Sequence, residues 1–212
     1  MILTKRQLLA TFTLVSAAML TPWAHAEDEA PDALIKRLSV DVLDSIKADK
    51  SIAGDLARVV ALVDTRIMPN VNFQRMTASA VGPAWRQATP EQQKRLQDEF
   101  KTLLVRTYAG ALAEVSDQTI SMKPLRAAPE DKEVVVRTEV RGRGDPIQLD
   151  YRLEKTPGLG AGWKIYNLNV LGVWLVETYR SQFAQEINNK GIDGLIATLS
   201  QRNKAAATAK AG

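Results

Sequence analysis

Histidine and cysteine, the residue types that carry most catalysis at neutral pH, are almost missing from this sequence. Cysteine is absent and histidine occurs once, at His25. His25 lies in an N-terminal segment that we expect to be removed, so the mature chain would contain neither residue type. This excludes Ser-His-Asp and Cys-His catalysis, a histidine general base, and a His or Cys zinc site. Carboxylate, lysine or tyrosine chemistry is what remains for an enzyme.

Three carboxylates occur close together in the second half of the chain, at Asp145, Asp150 and Glu154. A pair of carboxylates is the machinery of glycoside hydrolysis. Asp150 and Glu154, however, alternate with apolar positions, which favours a solvated face of a sheet over an active site. We therefore expect no catalytic residues, no metal site and no cofactor.

Two further motifs resemble binding signatures. Gly158, Gly160 and Gly162 are similar to part of a nucleotide-binding loop, but such a loop follows a strand and opens a helix. Here the glycines connect two predicted strands, so we expect a hairpin loop. The tripeptide at 143–145 (RGD) matches an adhesion motif, a match that arises by chance in any turn.

The first 26 residues have the features of an export signal. Lys5 and Arg6 form a positive start, residues 8–20 are almost entirely apolar, and residues 24–26 (AHA) fit a peptidase site. A membrane anchor needs an apolar span of about 20 residues, whereas this span is shorter and is broken by Pro22. We expect cleavage before Glu27 and a soluble protein outside the cytoplasm.

The chain that remains, about 186 residues, suits one domain with one core. We place this domain at 27–203 and expect a disordered Ala/Lys tail at 204–212. The whole chain has 28 basic and 24 acidic residues. Removing Lys5 and Arg6 brings these numbers still closer, which argues against a nucleic-acid-binding protein.

Apolar residues that recur every three or four positions predict helices on both sides of a central region. We expect one helix from Pro31 to about residue 50, a second that ends before Pro69, and a third at about 73–81. A long helix follows the capping signal at 89–92 (TPEQ). Two more follow Gly172, the last of them capped by Asp193.

Between residues 118 and 170 the apolar period changes to two, which predicts strands at about 119–122, 133–141, 147–154 and 163–170. The order of helices, then strands, then helices predicts an α+β domain. In it, about six helices cover a four-stranded antiparallel meander. The apolar faces would enclose either a solid core or a cavity, and periodicity does not distinguish the two.

A series of short segments adds a family resemblance through its order and spacing. The segments are 68–73 (MPNVNF), 82–86 (GPAWR), 89–92 (TPEQ), 100–104 (FKTLL), 107–109 (TYA), 162–166 (GWKIY), 172–173 (GV), 179–183 (YRSQF) and 191–196 (GIDGLI). Together they make residues 68–203 resemble the MlaC family, also called the toluene-tolerance Ttg2 family, of periplasmic phospholipid-binding proteins in Gram-negative bacteria. Three positions depart from its pattern: Asn72 and Asn167 stand where Asp is common, and Trp174 where Ser is common.

The resemblance implies a periplasmic carrier that shuttles glycerophospholipids between the outer and inner membranes and so maintains outer-membrane lipid asymmetry. The acyl tails would occupy an apolar cavity between sheet and helices. The resemblance also implies two docking partners, an outer-membrane lipoprotein-porin complex and an inner-membrane ABC transporter complex. We expect a monomer that is not an enzyme. The alternative is a protein-protein adaptor with a solid core and no ligand.

Strand parity and helix spacing identify the side chains that would face such a cavity. Trp174 belongs to this set as a bulky residue that would reshape the cavity mouth. The predicted lipid-binding wall consists of Phe73, Met76, Phe100, Leu104, Tyr108, Val134, Val136, Val140, Leu149, Tyr151, Ile165, Val173, Trp174 and Val176.

Overall fold

A computed structural model describes residues 29–208 with the exception of Glu114, Ser116 and Arg143. The predicted export signal therefore lies outside the described residues, as does the first residue of the RGD tripeptide. Within the described part the chain forms six α-helices and one five-stranded sheet. The predicted α+β class is confirmed.

Helix α1 spans Pro31–Ala48, with Pro31 at its start and Leu34, Ile35, Leu38 and Ile46 on its buried face. Two short helices follow, α2 at Ser51–Gly54 and α3 at Leu56–Leu62. A π-helical turn at Val63–Ile67 and a 3-10 turn at Met68–Asn70 follow. The helical region thus ends at Asn70, within two residues of the predicted end before Pro69.

The next two helices begin at the caps that the sequence predicts. Helix α4 spans Phe73–Val81, and the Asn72 side chain accepts a hydrogen bond from the Arg75 amide. Helix α5 spans Pro90–Ala113. The Gln92 amide donates to Thr89 Oγ1 at 3.2 Å while Gln92 Oε1 accepts from the Thr89 amide at 3.0 Å. This reciprocal pair is a capping box, which satisfies two amides that the helix itself leaves unpaired.

The sheet is an antiparallel meander in which each strand pairs with its neighbour along the chain. Its strands are β1 at Thr119–Met122, β2 at Glu133–Arg141, β3 at Ile147–Lys155, β4 at Trp163–Val170 and β5 at Val173–Trp174. The loop with the three glycines joins β3 to β4 through hydrogen bonds within residues 156–162. This confirms the hairpin interpretation of that loop.

The fifth strand was not predicted, because two residues are too few to show a period. Leu171 and Gly172 both have positive φ, 52° and 86°, as the two central residues of a tight hairpin turn often do. The turn folds Val173 and Trp174 back onto Val170 and Asn169. The prediction that placed Val173 at the start of a helix is therefore corrected.

Helix α6 spans Leu175–Thr208 and is interrupted at Gly191, where φ is 70° and ψ is −175°. The interruption separates two helical segments, in agreement with the two helices expected after Gly172. The second segment continues to Thr208, into the region that we expected to be a disordered tail.

The core consists of two packed clusters. One joins α4, α5 and α6 around Phe100, whose ring lies 5.0 Å from that of Tyr179 and 5.2 Å from that of Phe183. The other packs α1 against one end of the sheet through Leu34, Leu153 and their neighbours. The remaining inward face of the sheet lies between these clusters.

Candidate functional site

The predicted wall residues fall into three groups in the structure. The cluster that joins α4, α5 and α6 is called the helical cluster below. Met76, Phe100 and Val176 are buried in it, and Phe73, Leu104 and Tyr108 pack against it while partly exposed. Val134, Val136 and Ile165 are buried under α1, with partly buried Tyr151 beside them. Val140, Leu149, Val173 and Trp174 belong to neither cluster.

A set of partly buried apolar side chains connects the two clusters, and we call it the interlayer cluster. Leu149 is opposite Val170 and Tyr151 is opposite Leu168 in the β3–β4 register, so all four point to one face of the sheet. Leu168 and Val170 pack on the helical cluster together with Leu104 and Tyr108 of α5. The interlayer cluster is Leu104, Tyr108, Leu149, Tyr151, Leu168 and Val170, all partly buried.

These residues are less buried than the inward strand positions at the centre of the cluster under α1. Val136 and Leu153, on the same face of the sheet, are 1% and 0% exposed. Protein interiors are close-packed, and partly buried apolar side chains on facing elements are positions where another apolar molecule can replace water. The interlayer cluster is therefore the candidate binding site.

Leu168 and Val170 were missed by the sequence prediction because of a β-bulge. The β3–β4 register shifts between Arg152 and Leu153, and a bulge adds one residue to a strand and so changes which side chains face inward. Ile165 and Leu168 consequently both point inward although they are three residues apart. The alternation of Asn167, Leu168, Asn169 and Val170 is the sequence signal for this change of parity.

The tyrosines that border the helical and interlayer clusters are neutral at physiological pH. Burial raises the pKa of Tyr108 and of Tyr179. Burial also raises the pKa of Tyr151, against hydrogen bonds with Ser39 and Thr138 that lower it. These residues supply apolar ring surface with an uncharged hydroxyl, a combination suited to the boundary between an apolar ligand and water.

The opposite face of the sheet carries an ion-pair network that fixes α4 to the strands. Arg75 binds Glu154 at 2.5 Å and Glu133 at 2.6 Å, and its guanidinium lies 3.6 Å from the centre of the Tyr166 ring. Asn72 Nδ2 donates to Glu154 Oε1 at 2.5 Å. Hydrogen bonds from Arg75 and Tyr166 lower the pKa of Glu133.

A second network on this face explains the other two departures from the family pattern. Asn167 Oδ1 accepts hydrogen bonds from the Leu168 and Val176 amides, while its Nδ2 donates to Glu177. Arg152 binds Glu177, and its guanidinium lies 3.9 Å from the centre of the Trp174 ring. Trp174 is opposite Asn169 in the β4–β5 register and so faces away from the interlayer cluster. The structure does not bring Trp174 together with the other predicted wall residues.

Two of the three carboxylates considered for catalysis, Glu154 and Asp150, hold structural contacts. Glu154 is committed to Asn72 and Arg75, and Asp145 is exposed. Asp150 is 5% exposed and accepts a hydrogen bond from Gln148. We expected Asp150 on a solvated face, but it is buried, with Arg137 and Asn169 opposite it on the neighbouring strands. Among the described residues no group of three or more acidic, His or Cys side chains has the arrangement of a metal site.

None of the helices in the described part of the chain is long and apolar enough to span a bilayer.

Comparison with known proteins connects this site to a family. The family model "MlaC protein" matches residues 36–201. Among curated proteins, the toluene tolerance protein Ttg2D of Pseudomonas putida is 30% identical over 189 residues, which are 88% of this chain and 82% of that protein. The intermembrane phospholipid transport system binding protein MlaC of Haemophilus influenzae is 26% identical over 192 residues, 89% of each chain.

A solved structure shows the same fold. The phospholipid-binding protein from Ralstonia solanacearum, determined in complex with a phospholipid, superimposes with a TM-score of 0.79 and is 49% identical. The match covers 83% of this chain and 98% of that one. The family model matches most of this chain, and these relatives align along nearly the whole domain. The chain therefore belongs to the MlaC family.

Proposed function

We propose that this protein is a periplasmic phospholipid carrier that shuttles glycerophospholipids between the outer and inner membranes and so maintains outer-membrane lipid asymmetry. The observation that carries the proposal is the interlayer cluster, a set of apolar side chains that lies between packed layers and keeps accessible surface. The relative that was solved with a phospholipid, at 49% identity, supports a lipid as the occupant.

The physical need for such a carrier follows from the size of its cargo. A phospholipid with two acyl chains exposes roughly 30 methylene groups when it leaves a bilayer, at about 0.8 kcal/mol each. The cost exceeds about 20 kcal/mol, so unassisted transfer through water is very slow. A protein that covers the tails with apolar surface removes most of this barrier without making or breaking a covalent bond. We therefore propose that the protein is not an enzyme.

The predicted wall residues divide between direct contact and support in this proposal. Leu104, Tyr108, Leu149 and Tyr151 contact the acyl tails together with Leu168 and Val170, and Val140 and Val173 extend this surface toward solvent. The fully buried members, Val136 and Phe100 among them, hold the two layers at the separation that the lipid needs. Trp174 supports Arg152 on the other face of the sheet.

Export and partners complete the proposal. Residues 1–26 act as the export signal, which places the domain at 27–203 in the periplasm. The carrier exchanges lipid with an outer-membrane lipoprotein-porin complex and with an inner-membrane ABC transporter complex. It works as a monomer and binds no nucleic acid.

Organic extraction of the purified protein, followed by mass spectrometry, tests the proposal directly. We expect about one phospholipid per chain. The variant Leu149→Asp should lose most of this lipid, because a carboxylate in the interlayer cluster is costly to bury beside acyl chains. Leu149 lies outside both packed clusters, so folding should survive the change, and circular dichroism checks this.

Val135→Asp is the matched control. Val135 is partly buried on the same sheet but alternates with Val134 and Val136, so its side chain points to the opposite face. This variant should retain lipid. Absence of lipid from gently purified wild-type protein would favour the adaptor with a solid core, and equal lipid content in the two variants would place the site elsewhere.

A further inference from the structure

The polar face of the sheet contains an open pocket of about 750 Å³. Four of its lining residues, Glu133, Val135, Arg137 and Arg152, lie at strand positions that alternate with the inward apolar residues. Lys123, Pro124 and Arg126 of the segment after β1 form one side, and Tyr166 also lines the pocket. Val134, whose side chain is buried under α1, also borders the pocket, whereas no residue of the interlayer cluster does. The pocket therefore opens on the face of the sheet opposite the interlayer cluster.

The pocket is cationic, and part of its charge is not compensated. Its described lining includes four basic side chains and one carboxylate. Lys123 binds Glu139, Arg152 binds Glu177, and the carboxylate, Glu133, is already held by Arg75. Arg126 and Arg137 are exposed, and their side chains form no hydrogen bond or ion pair with any described residue. These two guanidinium groups give the pocket its excess of positive charge.

We propose that this pocket binds an acidic segment of a partner protein. Arginine presents a planar fork of donors that matches a carboxylate with two hydrogen bonds. The pocket volume falls within the range of sites that hold several side chains or a whole small molecule, far more than one small anion fills. Val135 and the Tyr166 ring supply apolar surface for the methylene groups of aspartate and glutamate.

The structure argues against a membrane surface as the occupant. Proteins that bind at a bilayer combine basic residues with apolar side chains that insert between lipids. The large apolar side chains that are exposed in the described part of the chain are Val40, Ile147, Leu159, Leu171 and Val173, and none of them lines this pocket. The interlayer cluster, the proposed site of the lipid tails, lies on the other face of the sheet.

The role of this pocket as a docking surface for a lipid carrier rests on the proposed function. Binding of an acidic peptide needs no lipid, so either proposal can fail without the other. The experiment measures fluorescence anisotropy of a labelled ten-residue peptide of alternating glutamate and glycine, titrated with the mature protein. The same peptide with lysine in place of glutamate is the ligand control. Lipid content is measured on every sample.

The double variant Arg126→Glu and Arg137→Glu should bind the acidic peptide at least tenfold more weakly than wild type and should keep its lipid. Arg66→Glu with Arg86→Glu changes the net charge equally at exposed positions outside the pocket, and it should bind like wild type. Wild-type binding should also weaken in high salt, because exposed ion pairs are screened.

Equal loss in both double variants would overturn the proposal, since it would reduce the effect to net charge. Unchanged peptide binding after the pocket reversal would also overturn it. Binding of wild type to phosphatidylglycerol vesicles or to inorganic phosphate, without binding to the peptide, would assign the pocket to a lipid surface or a free anion instead. Wild type that binds peptide but carries no lipid would refute the carrier and retain the docking site.

Discussion

The substitution Asn72→Asp should affect two interactions of this side chain differently, the cap of helix α4 and the hydrogen bond to Glu154. Asp caps a helix as well as Asn does and interacts favourably with the positive end of the helix dipole. From the helix alone, Asn72→Asp should leave stability unchanged or raise it slightly. In the folded protein, however, Asn72 Nδ2 donates to Glu154 Oε1 at 2.5 Å. Asp cannot make this donation when ionised, and it places a second carboxylate beside the first.

The size of the effect follows from these contacts. The lost hydrogen bond to a charged group costs about 1.5–3 kcal/mol. Two like charges at about 4 Å repel by about 4 kcal/mol at an effective dielectric constant of 20, and Arg75, which binds Glu154 at 2.5 Å, offsets much of this. We expect a net destabilisation of about 2–4 kcal/mol at pH 7. Asn72→Ser is the control, because Ser keeps the cap and adds no second carboxylate beside Glu154.

Urea denaturation followed by circular dichroism at several pH values measures both variants. Like charge raises the folded-state pKa of the new carboxylate pair above its unfolded value, so the penalty is complete at neutral pH. It disappears as the pH falls through the raised pKa, because a protonated carboxyl can donate again. The deficit of Asn72→Asp relative to Asn72→Ser should therefore shrink on acidification. An Asp variant as stable as wild type at pH 7, or a deficit that grows in acid, would refute the reasoning.

Four further predictions concern stability and ligand preference. Leu171→Asn should raise the free energy of unfolding by about 1 kcal/mol, since Asn adopts positive φ more readily than Leu and Leu171 is 64% exposed; a loss of stability in urea denaturation would contradict this. Phe100→Ala should lower the free energy of unfolding by about 3–5 kcal/mol, because Phe100 is fully buried at the centre of the aromatic cluster. The Arg75 and Tyr166 hydrogen bonds lower the pKa of Glu133, so ionised Glu133 stabilises the fold above its unfolded pKa, and this stabilisation is lost as the pH falls through the lowered pKa. The free energy of unfolding of Glu133→Gln should therefore depend less on pH between roughly 5 and 3 than that of wild type. Delipidated protein should take up phosphatidylethanolamine and phosphatidylglycerol comparably, because tail burial dominates binding, and a preference above about a hundredfold in a competition assay would mean that the protein recognises the headgroup.

Local signals in the sequence predicted most of the elements. The capping pair of Thr89 and Gln92 and the cap at Asn72 lie where the structure has them, because a cap involves residues only three positions apart. The alternation in β2 and β3 likewise predicted a hairpin with one apolar face. The expected absence of histidine and cysteine from the mature chain excluded catalysis and zinc binding by these residues. The segments shared with the MlaC family predicted the family.

The candidate site depended on contacts between distant residues, which local periodicity does not encode. The bulge between Arg152 and Leu153 moved Leu168 and Val170 to the inward face. The turn at Leu171 turned Trp174 toward Arg152. Asn72 is 82 residues from its partner Glu154. Residue types and their spacing determine which face of a helix or strand is apolar, whereas strand register and the partner of each polar group are decided only when the elements pack together.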